Sequence, residues 1–103
     1  MLEVARQRAS SQLGTAALTH YEADGSLAFV HLLTVAQIGY QIAGENLARA
    51  SVADANVTER IEQALMKSPT HRKNILETQF ARVAIGVATD PYGQITFAEI
   101  YRN

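Results

Sequence analysis

The chain has 103 residues, 10 acidic against 9 basic, with a formal net charge of −1 and an apolar fraction of 48 %. That is the length and composition of one folded domain, and the balanced charge excludes a general nucleic-acid or anionic-membrane surface. Without cysteine there are no disulfides, thiolate metal sites or thiol nucleophiles, and no apolar run is long enough for a transmembrane helix.

In chain order, Leu2, Ala5, Ala9, Leu13 and Ala16 recur at spacings of three and four and predict a helix over 2–18, with Arg6, Arg8 and Gln12 on its other side. This start reads as an amphipathic helix, not as a signal peptide. His20 follows in a loop that turns at Asp24-Gly25. Ser26 then caps a second helix, about 27–37, which is apolar nearly all round and so expected to be buried. The segment from Gly44 to Ala50 shows no clear period and is left extended or irregular. A third helix spans 57–67, opened by a capping box of Asn56 and Glu59. Ser68-Pro69 ends it and starts a short helix running to Leu76, with Ser68 as N-cap and Pro69 at the first helical position.

The final quarter changes period. Val83, Ile85 and Val87 alternate with Ala84, Gly86 and Ala88, and Ile95, Phe97 and Glu99 with Thr96, Ala98 and Ile100. Between them Asp90-Pro91-Tyr92-Gly93 has the residues of a type I turn. An antiparallel hairpin of about 81–89 with 94–102 follows.

Chemistry-bearing residues are few. His20 sits in a loop, His71 in the first turn of a helix, and His31 inside the second helix, where it reads as structural. Glu45, held between Gly44 and Asn46, reads equally as an aimed carboxylate or as a plain turn acid. Two histidines and a carboxylate suit a divalent transition ion such as zinc. Their spacing alone does not make that case, and no nucleophile elbow, phosphate loop or dinucleotide fingerprint is present.

Read together, the segments say more. Thr19-His20-Tyr21, Asp24-Gly25, Gly44-Glu45-Asn46-Leu47-Ala48, Ser68-Pro69-Thr70-His71-Arg72-Lys73-Asn74-Ile75-Leu76 and Val83 to Ala88 occur in one order along nearly the whole chain. This pattern resembles the CAP superfamily of cysteine-rich secretory, antigen 5 and pathogenesis-related proteins, and within it the bacterial SCP-like extracellular domains. The Gly-Glu-Asn motif followed by Ser-Pro-x-His-Arg-x-Asn-Ile-Leu is the specific part.

The resemblance implies an α+β fold, a three-layer α–β–α sandwich with the C-terminal hairpin, as one domain over 1–103 that lacks the family's usual preceding helix. It implies a cleft joining His20, Glu45 and His71, with zinc as the best candidate metal, and Ser68, Asn46 and Arg72 lining or supporting it. Asn74 would brace the same wall. The family's fourth cleft residue, a second glutamate, falls at Ser68 here, and Glu62 lies too early on its helix to replace it. The resemblance further implies a secreted or extracytoplasmic location and a small apolar or lipid-like ligand or an extracellular protein partner. A homodimer through the uncovered first helix fits as well. No residue is assigned a catalytic role. A metal-assisted hydrolase and a structural or adhesion module remain the alternatives to a binding module.

Overall fold

The computed structural model describes residues 1–51 and 54–103. Helices α1 (Leu2–Ser11) and α2 (Ala28–Val35) precede strand β1 (Ala43–Ala50); α3 (Val57–Lys67) and α4 (Pro69–Leu76) follow, then β2 (Arg82–Thr89) and β3 (Ile95–Arg102). The strands form one antiparallel sheet in the order β1-β3-β2.

Strand β3 lies in the middle, and seven of its eight residues are buried. Side chains on a strand alternate between faces, so β3 serves two cores at once. Ile100 joins Val4, Ala5, Phe29 and Leu33 under α1 and α2. Ile95 and Phe97 join Val57, Ile61 and Leu65 under α3. The architecture is therefore helix, sheet, helix, as expected for an α+β sandwich. Gly86 makes the first layer close: a Cβ there would collide with the backbone of Ala5 and Arg6. Among the described residues no helix is long and apolar enough to cross a membrane.

The hairpin and the third and fourth helices match the expected positions within a residue. Asp90 makes the turn: its carboxylate accepts from the backbone N–H of Tyr92 and of Gln94, at 2.9 Å each.

Four expectations are corrected. The first helix ends at Ser11, not residue 18. Gly14 takes a positive φ of 74°, and the Arg49 guanidinium pulls the carbonyls of Gln12 and Thr15 out of any helical ladder, at 2.8 and 3.0 Å. Arg8 and Gln12 are not on the solvent side; they are 3 % and 2 % exposed. Among the described residues of helix α2, Ala28, Phe29 and Leu33 are the buried ones, and Phe29 and Leu33 pack with Val4 and Ala5 of α1 and Ile100 of the sheet. The side chains expected to cap α2 and α3 do not do so: Ser26 bonds to Asp24, and Asn56 makes no side-chain cap bond.

Candidate functional site

Strand β1 is an edge strand, and its consecutive residues Glu45 and Asn46 point to opposite faces of the sheet. Each anchors a network that contains one of the predicted histidines.

On the α1 face, the Glu45 carboxylate is nearly sealed from solvent and held three times. Arg8 Nε donates to Oε2 at 2.7 Å and Arg8 Nη2 to Oε1 at 3.1 Å. His20 Nδ1 lies 2.8 Å from Oε1. Arg8 Nη2 also donates to the Thr19 carbonyl at 2.7 Å, tying the loop that carries His20 to α1. A carboxylate only accepts, so His20 donates from Nδ1, and in the neutral ring Nε2 then carries the lone pair. The imidazole is partly open to solvent while its partner is not.

On the opposite face, Asn46 is 1 % exposed and uses its whole amide. Its Nδ2 donates to the His71 carbonyl at 3.1 Å and to Glu99 Oε1 at 3.2 Å; its Oδ1 accepts from Asn74 Nδ2 at 2.8 Å. Asn74 Nδ2 also reaches the Glu45 carbonyl at 3.2 Å. Gly44 beside them leaves room for this packing, since a Cβ there would press on the Phe80 and Asn74 side chains at 3.1 and 3.2 Å.

Pro69 occupies the first helical position of α4 and Ser68 its N-cap. The Ser68 hydroxyl makes no capping bond; it lies 2.7 Å from His71 Nδ1. His71 thus also has Nδ1 engaged from inside. Arg72 is exposed on α4, its backbone N–H bonded to the Ser68 carbonyl.

The structure therefore brings His20 and Glu45 into direct contact and places His71 against the neighbouring residue of the same strand. The ring of His71 bonds to Ser68, not to Glu45. His31 is exposed on α2.

As a three-ligand metal site the residues do not fit. Both Glu45 oxygens accept from the Arg8 guanidinium, which already supplies the cation this carboxylate balances. Among the described residues no group of three or more His, Cys, Asp and Glu is placed to hold a metal ion. Each imidazole has Nδ1 engaged within its own network, as in histidines that ligate through Nε2.

Sequence reasoning missed Arg8. The signal was its position four residues after Val4 and three after Ala5, on the face that packs against the sheet. A cavity of about 420 Å³ opens beside this network, lined by Arg8, Thr19, Tyr21, Ala28 and Leu32 among others.

No protein-family model matches the chain, and no curated protein does. Among solved structures, an extracellular protein from Bacillus anthracis containing an SCP domain is similar at a TM-score of 0.77 and 23 % identity. The match covers 99 % of this chain and 31 % of that one, so the chain spans about a third of that protein's length. An outer surface protein from Borrelia burgdorferi matches at a TM-score of 0.75 and 16 % identity, over 98 % of this chain and 71 % of that one. The chain has the SCP-like fold.

Proposed function

We propose that the chain is an extracellular binding module of the SCP-like branch of the CAP superfamily, and that it presents His20 and His71 through Nε2 to a divalent ion such as zinc. One observation carries this reading. Each imidazole has Nδ1 engaged by a partner within the protein, Glu45 for His20 and Ser68 for His71. Metal-ligating histidines need that partner to fix ring and tautomer. Ligation by His71 calls for the tautomer in which Nδ1–H donates to Ser68.

Glu45 belongs to the site as the residue that aims His20, and Arg8 as the residue that aims Glu45. Water completes the coordination sphere, so the affinity falls below that of a site built from four protein ligands. A small apolar or lipid-like ligand would enter beside the network, where Ala28, Leu32 and Tyr21 give the cavity an apolar wall. The extracellular setting is supported by the motif order of the sequence and by the described locations of the two similar proteins.

The test is calorimetric titration with zinc of the parent, His20→Ala and His71→Ala. The reading predicts a weak single site in the parent and at least tenfold weaker binding in both variants. Equal affinity in all three removes it.

The burial of Arg8 and Glu45 favours a second reading, in which the network only holds the fold. It predicts that Glu45→Gln loses stability while no ion or ligand binds the parent.

A further inference from the structure

Strand β1, which anchors both histidine networks, is one edge of the sheet, and β2 is the other. The backbone bonds fix which residues of β2 turn their amides outward. In an antiparallel ladder, alternate residues exchange N–H and C=O with the neighbouring strand, and the residues between them point the other way. The Asp90 N–H donates to the Gln94 carbonyl at 3.0 Å, and the Asn103 N–H to the Ile42 carbonyl at 3.3 Å. With the register of the three strands, these bonds put Ala84, Gly86 and Ala88 in exchange with β3. The N–H and C=O of Val83, Ile85 and Val87 are turned away from the sheet, and among the described residues no bond reaches them. At the β1 edge, by contrast, the outward carbonyl of Glu45 is taken by Asn74 Nδ2.

The same three residues are apolar and open. Val83, Ile85 and Val87 are 51, 44 and 45 % exposed. By alternation they share one face of the strand, opposite to Gly86, which packs on α1. Proline, lysine or a bulge commonly guards such an edge against pairing. Strand β2 has none of these: its register with β3 runs unbroken, and its one charge is Arg82 at the first position.

Two observations choose the occupant. A second copy pairing through its own β2 is too bulky. Helix α1 lies directly on Gly86, with the Ala5 backbone where a Cβ would be. Paired strands sit about 4.8 Å apart, whereas packed helices need about 8–10 Å, so two copies would drive their α1 helices into each other. A single extended segment brings no helix. Charge selects further. Arg82 is exposed, and among the described residues no ion pair holds it. Glu77 lines the same small cavity but accepts from the Gln79 N–H. The register partner of Arg82 on β3 is another cation, Arg102. This end of the edge therefore favours a carboxylate.

We propose that the β2 edge takes up an extended segment of a partner protein as an added antiparallel strand. Its apolar side chains lie opposite Val83, Ile85 and Val87, and a carboxylate lies opposite Arg82. Main-chain bonds to the three outward residues supply affinity, and the alternating side chains supply selectivity. The surface is separate from the histidine networks, so zinc binding has no part in its test.

The probe is the end-blocked peptide Ser-Val-Gly-Ile-Ser-Val-Glu. Its antiparallel register sets the apolar residues opposite Val87, Ile85 and Val83 and the glutamate opposite Arg82. Amide hydrogen exchange followed by NMR reads the result. In the free protein the N–H groups of Val83, Ile85 and Val87 should exchange fast and those of Ala84, Gly86 and Ala88 slowly. Saturating peptide should slow the first three several-fold. The same peptide N-methylated at its three apolar residues keeps its side chains but loses the donors, and should bind about tenfold more weakly. Ile85→Lys, which places a guard at an exposed position, should weaken binding as much. A peptide with lysine in place of its glutamate should prefer Arg82→Glu over the parent. No slowing at Val83, Ile85 and Val87, or equal binding of the N-methylated peptide, overturns the proposal. So does a concentration-dependent dimer that protects the same amides, since it assigns the edge to a second copy.

Discussion

Replacing Arg8 with methionine is the most informative single perturbation. The Arg8 and Glu45 side chains are 4 % and 1 % exposed, and their bond is 2.7 Å long. Methionine fills similar volume but leaves the Glu45 carboxylate buried with His20 as its remaining side-chain partner. It also removes the bonds to Ser11 and to the Thr19 carbonyl. Breaking a buried pair from one side costs about 3–5 kcal/mol, because the surviving charge is stranded. A domain of this size has about 5–15 kcal/mol in total, so the loss is a large share of it. The expected fall in Tm is about 15 °C or more. Urea unfolding measures it directly, with the slope unchanged if only the native state is affected. The double variant Arg8→Met, Glu45→Met strands no charge and should recover much of the loss. A cost below about 1 kcal/mol for Arg8→Met, or a double variant no better than the single one, refutes the claim that Arg8 is the cation Glu45 balances.

Two further variants probe the framework. Gly86→Ala should unfold the domain or cost more than about 3 kcal/mol, since the added Cβ meets helix backbone, which cannot swing aside; chemical denaturation decides, and a near-neutral result would mean that α1 does not lie on β2 as described. Asn46→Ala removes three hydrogen bonds from a site that water cannot reach and should cost about 2–3 kcal/mol. Hydrogen exchange should then report loss of protection in α4 before α1, and uniform loss would contradict the placement of Asn46 as the link to α4.

The parts of the fold that were readable before the structure are those with an unmixed period. β2 and β3 alternate cleanly and are joined by a turn whose Asp90, Pro91 and Gly93 each have a conformational reason. Helix α3 has one apolar stripe, Val57, Ile61 and Leu65, and Ser68-Pro69 marks its end. Strand β1 was not readable. It is covered on both faces near Glu45, Asn46 and Leu47, so it does not alternate, and its polar residues are satisfied by partners distant in sequence. The end of α1 was hidden for a related reason. Ala16 continues the helical spacing, and the guanidinium that stops the helix arrives from residue 49.

The site was legible in outline only. The motif resemblance named His20, Glu45 and His71, but local pattern could not divide their roles. Glu45 reads as a ligand until Arg8 is known to be buried against it. Ser68 reads as a helix cap until its hydroxyl is found beside His71 Nδ1.

The central claim is that His20 and His71 present Nε2 because Glu45 and Ser68 engage Nδ1. Long-range proton–nitrogen spectra of the histidine rings, recorded during a zinc titration, test it most directly. The account predicts that the Nε2 signals of His20 and His71 shift together while both ring-nitrogen signals of His31 stay in place. Zinc ligation at Nδ1 of His20 or His71, read as loss of its attached proton, or zinc-dependent shifts at His31 alone, would contradict it.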